Sequence, residues 1–269
     1  ICHHCAARRP SPPQCPDCGT PDPDVIGMGT ARVEESLQRH FPDARLARID
    51  RDSTRRQGSL EQLLDAAVSG RLNLLVGTQM LAKGHHLPHL GLVAILDVDQ
   101  GLYSPDFRAA ERMGQLVVQV AGRSGRELRA GTTLIQTHRP DHPWLRQLLI
   151  EGYAGFARSL LVERREAHWP PFTRLALLRA QTAKPEPALA FLEAVGRCLP
   201  PPAGMQVLGP VPAPMARRAG THRAQLLLVA SSAAPLHRYL DRLLPRLSAL
   251  PEGQRGVRWS LDVDPQDLF

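Results

Sequence analysis

Apolar positions along this chain first follow one pattern and then another. Over residues 25–138, short apolar runs alternate with stretches at helical spacing. Gly27-Met28-Gly29-Thr30 opens a first helix, in which Val33, Leu37 and Phe41 recur at helical intervals. That G-x-G lacks the rest of a dinucleotide fingerprint and reads as a turn and cap. Residues 44–49 are strand-like, and Ser59 caps a second helix carrying Leu60, Leu63, Leu64 and Ala67. Further strands are predicted at 72–76, 92–96 and 132–136, with a long helix starting near Asp106. Strands alternating with helices predict a parallel sheet with helices on both faces, hence an α/β fold. Ligands of such sheets gather beyond the carboxyl ends of the strands.

The pattern then changes. Leu145, Leu148, Leu149, Tyr153, Phe156, Leu160 and Leu161 predict one helix over 141–168, ended by Trp169-Pro170-Pro171-Phe172. Beyond it, strands at 173–180, 205–208, 222–230 and 257–263 and helices at 187–198 and 235–247 follow the order β-α-β-β-α-β. That order is the split ferredoxin-like plan of an α+β domain. A proline-stiffened loop is expected at 209–214, followed by Arg217, Arg218 and Arg223, which suit a phosphate or an acidic peptide as well as they suit solvent. Asp262 and Asp264 read as a polar strand end, not as a catalytic pair. The expected domains are a partial cysteine-rich region (1–24), an α/β lobe (25–140), a connecting helix (141–171) and the carboxyl-terminal domain (172–269).

Charge and cysteine usage narrow the chemistry. A net charge of +7 points to a polyanion, with nucleic acid first. Lys83 and Lys184 are the only lysines, so codon bias toward Arg competes with that reading. No apolar run approaches the length of a membrane-spanning helix. The chain starts at Ile1 without an initiator Met and is expected to be a piece of a longer protein. Cys2 and Cys5, then Cys15 and Cys18, form two C-x-x-C knuckles, each able to supply two thiolates to a tetrahedral zinc. Their spacing leaves open whether one ion or two are served; His3 and His4 are expected to be exposed, and Cys198 to be a small buried hydrophobe.

The strand exits hold the other candidates. After the strand at 72–76 come Gly77, Thr78, Gln79, Lys83 and Gly84, where glycine permits close backbone approach and the polar groups suit phosphate. After the strand at 92–96 come Asp97 and Asp99, a paired acidic exit. The long helix then delivers Gln119 and the run Gly122-Arg123-Ser124-Gly125-Arg126. A guanidinium is always charged and grips phosphate oxygens bidentately, so Arg123 and Arg126 suit a transferring phosphoryl group; a solvated basic helix end is the plainer alternative. All three clusters are expected along one sheet edge. No Walker A sequence occurs, so this chain alone is expected to be inactive as an ATPase, presenting arginines to a nucleotide held elsewhere.

In order, the paired knuckles, Arg48-Ile49-Asp50-Arg51-Asp52, Gly77 to His85, Leu96-Asp97-Val98-Asp99, Gln119 to Arg126, Leu208 to Pro214 and Leu261 to Pro265 resemble one family. It is the primosomal protein N′ family of bacterial replication-restart DNA helicases, superfamily 2, and the resemblance is to the carboxyl-terminal half of its members. It implies that 25–140 is the second RecA-like lobe and that Gly77 to Gly84 link nucleotide state to single-strand contact. Gln119, Arg123 and Arg126 would face the γ-phosphate, with Ser124 standing where the family usually has Ala. Eight family cysteines form two interleaved zinc sites, of which Cys2, Cys5, Cys15 and Cys18 would be half the ligands. An ATP- and Mg-dependent 3′-5′ helicase acting on forked DNA is implied, with single-stranded-DNA-binding protein and primosome components as partners, in the cytoplasm at the nucleoid. A fork-binding scaffold of the same family without ATPase activity, and a zinc-ribbon protein acting on RNA, are the competing readings.

Overall fold

A computed structural model describes residues 13–14, 19, 21, 29–50, 53–54, 59–78, 81, 87–104, 106–122, 131–247 and 256–268. The chain divides into two compact units: Pro12–Pro105 with Ala109–Arg158, and Asp106–Arg108 with Ser159–Phe269 (the carboxyl-terminal unit).

In the first unit, α1 (Thr30–His40) leads to β1 (Leu46–Ile49), α2 (Ser59–Val68) and β2 (Leu74–Gly77). Then follow β3 (Leu92–Ile95), a single helical turn α3 (Asp99–Leu102), α4 (Ala109–Ala121) and β4 (Thr132–Ile135). β1 pairs in parallel with β2, and β3 with β4. Arg45 sets the entry of the first pair: its N–H bonds Asn73 Oδ1 at 2.8 Å and its guanidinium reaches the carbonyls of Gly70 and Arg71 at 3.1 and 3.0 Å. The expected single sheet is not what forms among the described residues; the strands make two separate two-stranded sheets. Periodicity marks strands but carries no information about which ones become neighbours. Ile49, Val76 and Ile95 are buried, as are Val33 of α1 and Ala110, Met113 and Val117 of α4.

Helix α5 (Pro143–Glu166) follows β4. The single helix expected there is interrupted at Gly152, whose φ of 69° and ψ of −171° lie outside helical geometry. Its Phe156 ring lies against Gly114 of α4, where a β-carbon would sit 2.9 Å from Phe156 Cδ1.

The carboxyl-terminal unit contains β5 (Arg174–Thr182), α6 (Pro185–Cys198), β6 (Met205–Arg218), β7 (Thr221–Ala230), α7 (Ala233–Leu247) and β8 (Arg258–Val263). The sheet runs β6-β7-β5-β8 with every neighbour antiparallel. Alternate residues of the central strands, Ala176, Leu178 and Ala180 with Leu226 and Leu228, meet Phe191 and Leu192 of α6 and Leu236, Leu240 and Leu243 of α7. Both helices thus cover one face. Burial of each large side chain there is worth about 1.5–3 kcal/mol. The Tyr239 hydroxyl donates to the Leu199 carbonyl at 2.7 Å, so its polar end is satisfied inside the core. Within the same unit, Phe107 stacks on Trp169 at 5.2 Å, flanked by the guanidinium groups of Arg108 and Arg164.

The segment expected as a proline-rich loop is instead strand. β6 extends through Pro210, Pro212 and Pro214 to Arg218, with register shifts between Leu208 and Val211 and between Pro212 and Arg217. Proline cannot donate to a ladder, yet β6 is an edge strand that needs donors on one side only.

Candidate functional site

At the exit of the first strand pair, Ile49 lies opposite Gly77. A β-carbon on Gly77 would collide with the Ile49 carbonyl and lie 2.7 Å from Leu81 Cδ1, so glycine is required by backbone approach. Thr78 follows, exposed, its carbonyl accepting the Leu81 N–H at 3.0 Å. Asp50 closes the neighbouring exit of β1. Its Oδ2 accepts the Thr30 hydroxyl at 2.7 Å, its Oδ1 accepts the Ser53 N–H at 2.8 Å, and its own N–H donates to Ser53 Oγ at 2.9 Å. Arg48 Nε is 3.0 Å from Oδ2, an ion pair not aligned as a hydrogen bond, and Arg48 also pairs with Glu34 at 3.3 Å. Burial pushes the Asp50 carboxyl up, but the Ser53 N–H, the Thr30 hydroxyl and the Arg48 charge together outweigh it and leave the pKa below its ordinary value. A carboxylate engaged this fully orders a turn; it is not available as a base or ligand.

The second pair is closed by Asp99. Its Oδ1 accepts the Thr137 hydroxyl at 2.6 Å and its Oδ2 the His138 N–H at 2.8 Å, joining the exit of β3 to that of β4. The His138 N–H, then the Thr137 hydroxyl, hold the Asp99 pKa below its ordinary value against burial, with the charges of His138 and His142 adding to the effect. Asp97 sits at φ 54°, in the left-handed region that Asp tolerates better than most residues, and its Oδ2 accepts Gln100 Nε2 at 2.6 Å. The two acids therefore do different jobs: Asp97 closes a local turn with Gln100, and Asp99 ties the exit of β3 to that of β4. Gln119 is exposed near the end of α4, whose last turn is closed by the Gly122 N–H on the Val118 carbonyl at 3.0 Å.

In the carboxyl-terminal unit, β6 and β7 meet in a hairpin at Ala219 and Gly220, both with positive φ (47° and 81°) as a two-residue turn demands. Arg218 lies opposite Thr221 and Arg217 opposite His222. Arg223 lies opposite Gln181 of β5. Burial, then the charges of Arg218 and Arg179, lower the Arg223 pKa, with Asp267 opposing. Arg179 is held by Asp262 at 3.3 Å and by Asp267 at 3.5 Å. Arg217, Arg218 and Arg223 thus collect on this hairpin, while Arg179 on the strand beside it is balanced by two carboxylates.

Gln79, Lys83, Gly84, Arg123 and Arg126 lie outside the described residues, as do Cys2, Cys5, Cys15 and Cys18. Among the described residues no group of three or more His, Cys, Asp or Glu side chains could hold a metal ion, and no helix is long and apolar enough to cross a membrane. Sequence reasoning missed Thr30, Ser53, Thr137 and His138 as partners of the strand-exit carboxylates. Only the polar run at 50–54 carried a local signal; Thr137 is 38 residues from Asp99 and becomes its neighbour through strand pairing.

Residues 26–127 match the helicase conserved C-terminal domain, and residues 165–266 match the primosomal protein N C-terminal domain. The replication restart protein PriA of Haemophilus influenzae is 46% identical over 269 residues, 99% of this chain and 36% of that protein. Its counterpart in Treponema pallidum is 37% identical over 270 residues, covering 100% of this chain and 40% of that protein. The Bacillus subtilis protein is 36% identical over 266 residues, 98% of this chain and 33% of that protein. The chain therefore spans between 33% and 40% of the length of these relatives. Two domain matches in sequence order, and similarity running the length of the chain, make it similar to the carboxyl-terminal portion of replication restart proteins.

Proposed function

We propose that this chain is the second motor lobe, partial zinc region and carboxyl-terminal domain of an ATP- and Mg-dependent 3′-5′ DNA helicase that restarts replication at forks. The observation that carries the reading is the 46% identity across 99% of the chain with a replication restart protein. The domain matches at 26–127 and 165–266 support a RecA-like lobe at 25–140 and a ferredoxin-like domain at 172–269, joined by a connecting helix at 141–171. The β-α-β-β-α-β order of the carboxyl-terminal unit supports the ferredoxin-like assignment.

Gln119, Arg123 and Arg126 contact the γ-phosphate of a nucleotide held by the first lobe, since no Walker A sequence lies in this chain. ATP with Mg supplies the free energy for strand movement. Gly77, Thr78, Gln79, Lys83, Gly84, Asp97 and Asp99 carry nucleotide state to the DNA strand at the sheet exits. Arg217, Arg218 and Arg223 contact DNA or a partner, with single-stranded-DNA-binding protein and primosome components as the proposed partners, in the cytoplasm. Two C-x-x-C pairs are the donor chemistry of a tetrahedral zinc site, so Cys2, Cys5, Cys15 and Cys18 fit structural zinc.

The test is Arg126→Ala in the full-length protein. DNA-stimulated ATP turnover is expected to fall about a thousandfold or more, the range for an arginine finger. Turnover at the wild-type level removes the assignment of Arg126. A wild-type protein that binds forks and loads the primosome without hydrolysing ATP establishes the scaffold reading in its place.

A further inference from the structure

Beside the β3–β4 exit, three aromatic rings form a ladder that none of the predicted site residues includes. Tyr103 meets His142 edge-on at 5.8 Å, and His142 meets Trp144 at 5.3 Å. Asp99 builds this arrangement. Its carboxylate holds Thr137 and His138 at the start of the segment leading to His142, and its carbonyl accepts the Tyr103 N–H at 2.9 Å. The Trp144 N–H donates to His142 Nδ1 at 3.3 Å, which fixes the middle ring. Tyr103 is nevertheless 58% exposed, so packing does not account for an aromatic held in this position. An edge-on neighbour leaves a tyrosine face open to solvent. Arg139 and Arg146, both exposed, lie in the same segment.

We propose that the Tyr103–His142–Trp144 ladder is a stacking platform for an unpaired base of a DNA single strand, with Arg139 and Arg146 neutralising the adjoining phosphates. The proposal rests on the DNA-binding part of the function proposed above. Every base has a π-face, so an open ring takes a strand without regard to sequence, and exposed arginines in the same segment supply charge for its phosphates. An open ladder also suits a strand running across it better than a small nucleotide, which requires an enclosed pocket.

Equilibrium binding of a labelled mixed-sequence oligodeoxynucleotide to the full-length protein, without ATP, tests this. Tyr103→Ala is expected to weaken binding about 5- to 150-fold, the loss associated with one stacked base, while Tyr103→Trp retains it. On an abasic oligonucleotide, wild type and Tyr103→Ala are expected to bind alike, because phosphate contacts alone remain. Unchanged binding by Tyr103→Ala, an equal loss on the abasic strand, no binding of single strands by the wild type, or a tenfold preference for the RNA strand each overturns the proposal. ATP turnover of the same wild-type preparation reports on the helicase reading separately. Strand binding through Tyr103 without turnover leaves the platform standing and removes the motor.

Discussion

Asp99 shows what one carboxylate does at a strand exit. It joins its own segment to the one after β4, 38 and 39 residues away, through the Thr137 hydroxyl and the His138 N–H. Because its folded pKa lies below the unfolded value, it contributes stability above about pH 4 that is lost as pH falls through the folded pKa. Asp99→Asn keeps the shape and removes the charge. At neutral pH it is expected to cost about 1 kcal/mol, the lower range for charge-assisted hydrogen bonds at a partly exposed site. Thermal melting across pH 7 to about pH 3 checks it: the gap between wild type and variant should stay constant at neutral pH and close below about pH 4. A gap that persists unchanged in acid would assign the loss to packing, not charge. Asp97 and Asp99 stood out in the sequence because ligand-binding residues follow parallel strands. Their division of labour did not, because the partners of Asp99 come from the segment just after β4 and strand adjacency is invisible to periodicity.

Elements were legible where alternation was strong and less so where glycine or proline intervened. From Arg223 onward β7 alternates half-buried and buried residues, and its expected span differs from Thr221–Ala230 by one residue. The start of β6 was expected at 205–208, but its continuation was hidden by Pro210, Pro212 and Pro214, which argue against a central strand but not against an edge. In α5 the apolar spacing continues past Gly152, so nothing in the pattern announces the break there. Helix packing gives the sharper test. A β-carbon at Gly114 would overlap the ring of buried Phe156, the ring that fixes α5 against α4. Gly114→Ala should therefore destabilise the first unit by about 1–3 kcal/mol through overpacking, despite the better helix propensity of alanine. Denaturant unfolding measures it, and pairing it with Phe156→Leu should recover part of the loss. Stabilisation by Gly114→Ala alone would show that the ring moves aside freely.

At the scale of the whole molecule, the proposed zinc and the hydrophobic core would be separate sources of order. The core of the carboxyl-terminal unit is built from Leu, Val, Ala and Phe with Met205 and Tyr239, and Cys198, packed against it, is partly buried with burial raising its thiol pKa. A buried thiol of that kind stays protonated and is a poor metal ligand. The four remaining cysteines, Cys2, Cys5, Cys15 and Cys18, supply enough thiolate for one tetrahedral zinc. If family members bring eight thiolates, the full-length protein should hold about two zinc ions and this chain at most about one. Chelation should then remove the metal without abolishing the cooperative melting of the carboxyl-terminal unit, since no ligand lies in its core. Metal analysis of both proteins, with calorimetry before and after chelation, checks each half of the argument. Loss of that transition on chelation would mean that zinc holds the core together, and more than one ion on this chain would mean that other residues complete the second site.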